Sequence, residues 1–220
     1  MSKKDLSLTP PDELPEQEKS DWKRERNFIV GPIAIVTTID QKGRVNAGLK
    51  TNLMSLGSLD RIGFGCKLNH DTYRNIVKTK EFVVNLPPKE IIEETMTTAV
   101  DYSPDVNELE KAGLNSVSSK QVKPPRVEEC IVHYECELDR CEIEPDKDYS
   151  VIIKGEIVAA STEESSSTLL SERMGDLMFW VGGAPKADHF GIIGELHDFA
   201  ITDFLKEKIQ KASREELQSQ

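Results

Sequence analysis

Ile33-Ala34-Ile35-Val36-Thr37-Thr38-Ile39, Asp40-Gln41-Lys42-Gly43 and Arg44-Val45-Asn46-Ala47-Gly48-Leu49 follow one another without interruption. The first run is built from β-branched and small apolar residues, the second is a turn sequence closed by glycine, and the third returns to an extended pattern. Together they read as a β-hairpin. Working outward, residues 61–67 alternate apolar and small side chains as a third strand, and residues 81–86 form a fourth, ended by Pro87-Pro88. Between these two, Asn69-His70-Asp71-Thr72-Tyr73-Arg74-Asn75-Ile76-Val77 reads as a short helix that Asp71 or Thr72 would cap.

A polar, helical insertion is expected over residues 88–114, followed by a Pro124-Pro125 turn. Long strands over 127–143 and 149–160 then flank Glu144-Pro145-Asp146-Lys147-Asp148 as a second hairpin. Residues 169–174 read as helical, and 177–181 as a short strand broken by Gly182-Gly183. From Thr202 an amphipathic helix carries Leu205, Ile209, Ala212 and Leu217. Strands outnumber helices and are joined by hairpins, so the expected class is mainly β, an antiparallel barrel or Greek key with a few peripheral helices. Residues 1–27, rich in proline and charge, read as a flexible arm, with the core domain over 28–195 and a tail over 196–220.

The chain has 220 residues, long enough for a real core, and 28 Lys+Arg against 39 Asp+Glu give a net charge of −11. Such a surface repels phosphate backbones and anionic lipid, so nucleic acid and membrane are not expected partners. No run approaches the roughly 18 apolar residues of a spanning helix, and Met1-Ser2-Lys3-Lys4-Asp5 has no apolar leader, so the expected location is the cytoplasm. Cys66, Cys130, Cys136 and Cys141 form no CxxC pair and have no histidine at ligand spacing, and they read as reduced thiols rather than a metal site.

The charge is unevenly spread. Residues 41–90 hold nine Lys/Arg and four Asp/Glu, a local +5 inside an acidic protein, so the remainder carries −16. Such a window suits a small anion, or it fringes exposed strand edges with positive charge. Residues 46–52 (Asn46, Ala47, Gly48, Leu49, Lys50, Thr51, Asn52) leave a strand, and His70-Asp71-Thr72 opens a helix. Hydroxyls, amides, one ammonium and a helix N-terminus are what a phosphate monoester requires. Taken singly, Asp71 is equally a plain helix cap, Thr51 a strand threonine, Lys50 an edge lysine and His70 a loop histidine.

Four segments in order, Gly31-Pro32-Ile33-Ala34-Ile35-Val36-Thr37-Thr38, Gly43-Arg44-Val45-Asn46-Ala47, His70-Asp71-Thr72-Tyr73-Arg74-Asn75-Ile76 and Glu81-Phe82-Val83-Val84-Asn85-Leu86, resemble the flavin reductase-like, FMN-binding split-barrel family. Weaker likenesses continue through Pro125-Arg126-Val127-Glu128-Glu129-Cys130, Tyr134-Glu135-Cys136, Ile153-Lys154-Gly155-Glu156-Ile157-Val158 and Phe179-Trp180-Val181-Gly182-Gly183. The resemblance implies an antiparallel Greek-key split β-barrel, a homodimer, and FMN at the barrel edge. It assigns cofactor binding to Asn46, Ala47, Lys50, Thr51, Asn52, His70, Asp71 and Thr72, with Cys66 and Lys67 beside the ring.

The activity it implies is that of an NAD(P)H:flavin oxidoreductase supplying electrons to a partner oxygenase or a small acceptor. The alternative is an FMN electron carrier of the flavoredoxin kind, reduced by another protein, and a third reading is a barrel that has lost its flavin. Many reductases of the family carry a histidine five residues before the glycine matching Gly155, where this chain has Ser150. Asp60-Arg61-Ile62 replaces a common Asp-Pro-Pro. Trp180 reads as packing, and His189 and His197 receive no catalytic role.

Overall fold

The computed structural model describes residues 11–15, 18–19, 30–57, 60–143, 150–162, 176–181 and 189–192. Its main sheet has seven strands. The chain enters through β1 (Val30–Pro32), then makes the β2 (Ala34–Ile39) and β3 (Val45–Lys50) hairpin, with Ala34 opposite Lys50 and Ile39 opposite Val45. The Asp40 carboxylate holds the turn by accepting from the backbone N–H of Lys42 (2.8 Å) and Arg44 (2.9 Å) and from Arg44 Nε (2.7 Å). Gly43 supplies the left-handed residue that closes it, at φ 81°.

A two-residue β4 (Met54–Ser55) pairs with β5 (Arg61–Lys67), and α1 (Asp71–Thr79) then carries the chain to β6 (Glu81–Leu86). An insertion precedes β9 (Val132–Ile143) and β10 (Ser150–Thr162). It contains a 3₁₀ turn (Lys89–Ile91), α2 (Ile92–Thr97), α3 (Glu108–Ala112) and the small β7 (Ser116–Val117) and β8 (Arg126–Val127) pair.

The strand order is β3-β2-β6-β9-β10-β5-β4, antiparallel at every step. Strands β6, β9 and β10 are successive neighbours, and β5, which precedes them in the chain, lies beside β10, which is Greek-key connectivity. Side chains from β2 (Ala34, Val36), β5 (Phe64, Cys66), β6 (Phe82, Val84), β9 (Cys136) and β10 (Val151, Ile153) join Ile76 of α1 in one core. A sheet whose distant strands meet in one core is curled into a barrel, and β3 and β4 are its two unpaired ends. The molecule is an antiparallel split barrel, with β11 (Met178–Val181) and β12 (His189–Ile192) forming a separate small sheet with β1.

β2 is apolar on both sides because both sides are covered. Ile35 faces away from the barrel and packs with Ala47, Leu109, Leu114, Val127 and Cys130, which belong to β3 and the insertion. Asn85, fully buried on β6, ties these layers together. Its Nδ2 donates to Ile35 O (2.9 Å), and its Oδ1 accepts from Val127 N (3.0 Å) and His133 Nδ1 (3.0 Å).

Three sequence expectations are corrected. The strand expected over 127–143 breaks after Val127 and resumes at Val132, because β8 pairs with β7 and not with the barrel. The helical insertion over 88–114 contains only three short helical segments, and residues 98–107 run irregularly between them. The helix capped by Asp71 or Thr72 begins one residue earlier: His70 is the N-cap, without a side-chain capping bond, and Asp71 and Thr72 lie inside the first turn. The amphipathic helix from Thr202, the helix over 169–174, the Glu144–Asp148 turn and His197 lie outside the described residues, as does most of the arm over 1–27. Among the described residues no helix is long and apolar enough to cross a membrane.

Replacing Asn85 with Ala leaves Val127 N–H and the His133 ring without their buried acceptor. The expected cost is about 2–4 kcal/mol of folding free energy, read as a lowered urea midpoint with an unchanged slope.

Candidate functional site

Where the two sheet ends part, two adjoining grooves open. The first, about 470 Å³, is lined by Leu49, Lys50, Thr51 and Asn52, by Gly65, Cys66, Lys67 and His70, and by Ser150, Val151 and Ile152. The second, about 390 Å³, continues from Lys50, Thr51, Lys67 and His70 past Asn46, Ala47, Asp71 and Thr72 to the insertion residues Thr98, Asp101, Tyr102 and Glu108. All ten residues singled out in the sequence therefore line one or both grooves, although they come from β3 and the two residues after it, from β5, and from the start of α1 with its N-cap.

Lys50 stands where the grooves join. As the last residue of β3 its side chain turns inward and is 7 % exposed. Its Nζ donates to Leu49 O (3.2 Å), and among the described residues no carboxylate pairs with it and its two other protons have no acceptor. Burial pushes its pKa down, against the opposing pull of Cys66 and Glu108. Gly48 makes room for it: a Cβ there would stand 2.8 Å from Thr72 Oγ1 and 3.0 Å from Lys50 Nζ. Only a residue without a side chain lets both groups converge on this point.

The first turn of α1 forms the floor, and its N-cap, His70, makes no side-chain capping bond. Thr72 is buried, and its hydroxyl donates to Asn46 Oδ1 (3.3 Å). His70 is held below its usual pKa first by burial and then by Lys50 and Lys67, so its ring is neutral at neutral pH. Cys66 lies 4.0 Å from His70 Nδ1. Burial raises the thiol's pKa more than Lys50 lowers it, which favours the protonated, uncharged sulfur. Asn52 Nδ2 reaches across the split to Gly65 O at 3.3 Å.

Glu108 escapes a sequence reading. It is buried in the first turn of α3, and its two oxygens accept from Asn46 Nδ2 (2.7 Å) and Ala47 N (2.9 Å). It thereby fixes which way the Asn46 amide points, and so presents Asn46 Oδ1 to Thr72 and to Thr38 Oγ1, which donates to it at 3.3 Å. Its charge, more than sixty positions from its partners, carries no local signal; the one available clue is an acidic residue in the first turn of a short helix, directly after the Asn107 cap.

These grooves belong to a known scaffold. The model of the flavin reductase like domain matches residues 26–198, most of the chain. The chain belongs to the flavin reductase like family. A protein of Aquifex aeolicus without an assigned role is 41 % identical over 104 residues, which are 47 % of this chain and 50 % of that protein. The chain spans about half the length of the curated relatives it matches. Among solved structures, nitrilotriacetate monooxygenase component B from Bacillus cereus superposes with a TM-score of 0.73 at 21 % identity, over 90 % of this chain and 100 % of that one. Flavoredoxin from Methanosarcina acetivorans superposes with a TM-score of 0.65 at 19 % identity, over 78 % and 89 %. At these identities the superpositions establish a shared fold.

Burial raises the Glu108 pKa above its usual 4.5 more than its hydrogen bonds lower it. The folded state therefore holds the proton more tightly than the unfolded chain, and the contribution of this group to stability declines as pH rises from about 4.5 through the raised value. Glu108→Gln is expected to remove that slope from a stability-against-pH profile. Glu108→Ala is expected to cost about 2–3 kcal/mol at neutral pH, because two buried donors lose their acceptor.

Proposed function

We propose that this flavin reductase family member binds FMN across the two grooves and uses it to carry electrons from NAD(P)H to a partner oxygenase or a small acceptor. The observation that carries the proposal is the buried Lys50 ammonium, which has spare donors beside the uncapped start of α1. A phosphate monoester supplies the charge and the acceptors that this site lacks. The residues present fit that group: Lys50, Thr51 and Thr72 offer an ammonium and two hydroxyls, His70 a neutral ring, and Gly48 the clearance. Asn52, Cys66 and Lys67 in the first groove lie beside the ring on this reading, facing Ser150, Val151 and Ile152.

The flavin supplies the redox chemistry when bound. The protein's own contribution is to bind, to orient the ring against the β10 wall and to keep water from the buried ammonium. Cys66, a protonated thiol, presents an uncharged surface there. We further propose that the chain works in the cytoplasm as a homodimer, which would cover Ile143 and Val158, large apolar side chains left exposed on the β9–β10 hairpin.

One feature favours a second reading. Ser150 lines the first groove at the position where the resemblance leads one to expect a histidine that helps place the nicotinamide. A carrier of the flavoredoxin kind, reduced by another protein, does not need that group. Anaerobic mixing with NADH or NADPH separates the two. Bleaching of the flavin with either nucleotide, accelerated in Ser150→His, supports the reductase, whereas no bleaching together with rapid reduction by a ferredoxin-type donor supports the carrier.

The phosphate assignment has its own test in equilibrium titration of the apoprotein. FMN is expected to bind more tightly than riboflavin, and Lys50→Ala or Thr72→Ala to weaken FMN by about 1–3 kcal/mol with little change in riboflavin affinity. An anion favours the charged ammonium, so FMN affinity should fall as pH rises through the depressed pKa of Lys50. Lys50→Met should flatten that dependence. Equal affinity for FMN and riboflavin would refute the assignment.

A further inference from the structure

The two grooves differ in charge. The first is lined by Lys50, Lys67 and His70 and by no carboxylate, whereas the second also holds Asp71, Asp101 and Glu108. Glu108 is spent on Asn46 and Ala47, and Asp71 accepts from Arg74 Nη1 at 3.2 Å. Asp101 is exposed and makes no hydrogen bond or ion pair among the described residues, yet it is close enough to act electrostatically on His70.

The segment carrying Asp101 is anchored. Leu49 N donates to Thr98 O (3.3 Å), tying the insertion to β3 one residue before Lys50. Thr98 is itself buried, and its hydroxyl donates to Thr95 O at 2.8 Å. Residues 98–102 therefore form a fixed outer wall, with Asp101 and the half-buried Tyr102 on the side away from the first groove.

We propose that this wall makes the site selective for the flavin mononucleotide over the dinucleotide, with Asp101 as the specificity-determining residue. The inference rests on the FMN reading above. With the ring in the first groove and its phosphate at Lys50 and the start of α1, a mononucleotide ends before the wall. A dinucleotide must continue past it. The two ligands carry similar total charge near neutral pH, but the dinucleotide moves one negative charge to a second phosphorus, farther from Lys50 and toward Asp101. It also loses the terminal phosphate oxygens that a monoester offers to the ammonium. Because Asp101 is exposed, its share of the discrimination is screened by salt, while that of the anchored backbone is not.

The test is titration of the apoprotein with FMN, FAD and riboflavin, followed by flavin fluorescence at low and high ionic strength. The wild type is expected to prefer FMN over FAD at least tenfold, with the preference narrowing as salt is added. Asp101→Lys should reduce the ratio about threefold or more and leave riboflavin affinity unchanged. Equal affinity for FMN and FAD in the wild type, or a ratio indifferent both to salt and to Asp101→Lys, would overturn the selectivity while leaving FMN binding intact. Failure of all three flavins to bind would instead remove the reading on which it stands. The comparison of wild-type affinities and their salt dependence does not depend on how well the variant folds.

Discussion

An ammonium held out of water is the constraint around which this molecule is arranged. Removing Lys50 from solvent costs free energy that its single carbonyl contact does not return. The barrel tolerates that cost by placing the charge at a sheet end, where grooves on either side keep it within reach of a ligand. The neighbouring features follow. A side chain at Gly48 would crowd the ammonium, the β2–β3 register sets Lys50 opposite Ala34, and the open helix start lies alongside. Burial acts on four groups there in the same sense, toward the uncharged form: Lys50 and His70 are pushed down, Cys66 and Glu108 up. A site so reluctant to hold charge favours an incoming anion that restores it.

Local signals make the barrel legible in the sequence. The β2–β3 hairpin, β5, α1 and β6 are each specified by side chains within a few positions of one another, by β-branched runs, a turn aspartate and glycine, and a helical stripe. The groove residues of β3, β5 and α1 were legible for the same reason. The insertion was not. β8 pairs with β7 and then turns, Cys130 N donating to Val127 O (3.1 Å) while Val127 N–H is held by Asn85, forty-two positions earlier, and a break of that origin leaves no mark in the strand's own sequence. The cap at His70 eluded the reading because Asp71 and Thr72 are good capping residues that the fold uses otherwise. Asp71 pairs with Arg74, and Thr72 turns into the site toward Asn46.

Glu108 and Glu135 show how the insertion is held. Each is a buried carboxylate satisfied by backbone N–H groups: Glu108 by Ala47, and Glu135 by Lys120 (2.9 Å) and Gln121 (2.6 Å). One attaches the insertion to the groove and the other attaches it to β9. With the Asn85 network between them, this segment shares the barrel's rigidity despite having little regular structure of its own.

Leu86 and Val132, the last residue of β6 and the first of β9, face each other across the sheet. Everything between them is, topologically, one very long hairpin loop. Lengthening or shortening such a loop changes its closure entropy only slowly and shifts no strand register in the barrel. The inner half of the ligand site is thus written into a scaffold that tolerates little change, and the outer half into the part of the chain most open to replacement. Descendants of this fold can acquire a different outer wall, and with it a different ligand, while Lys50, Gly48 and the start of α1 stay as they are.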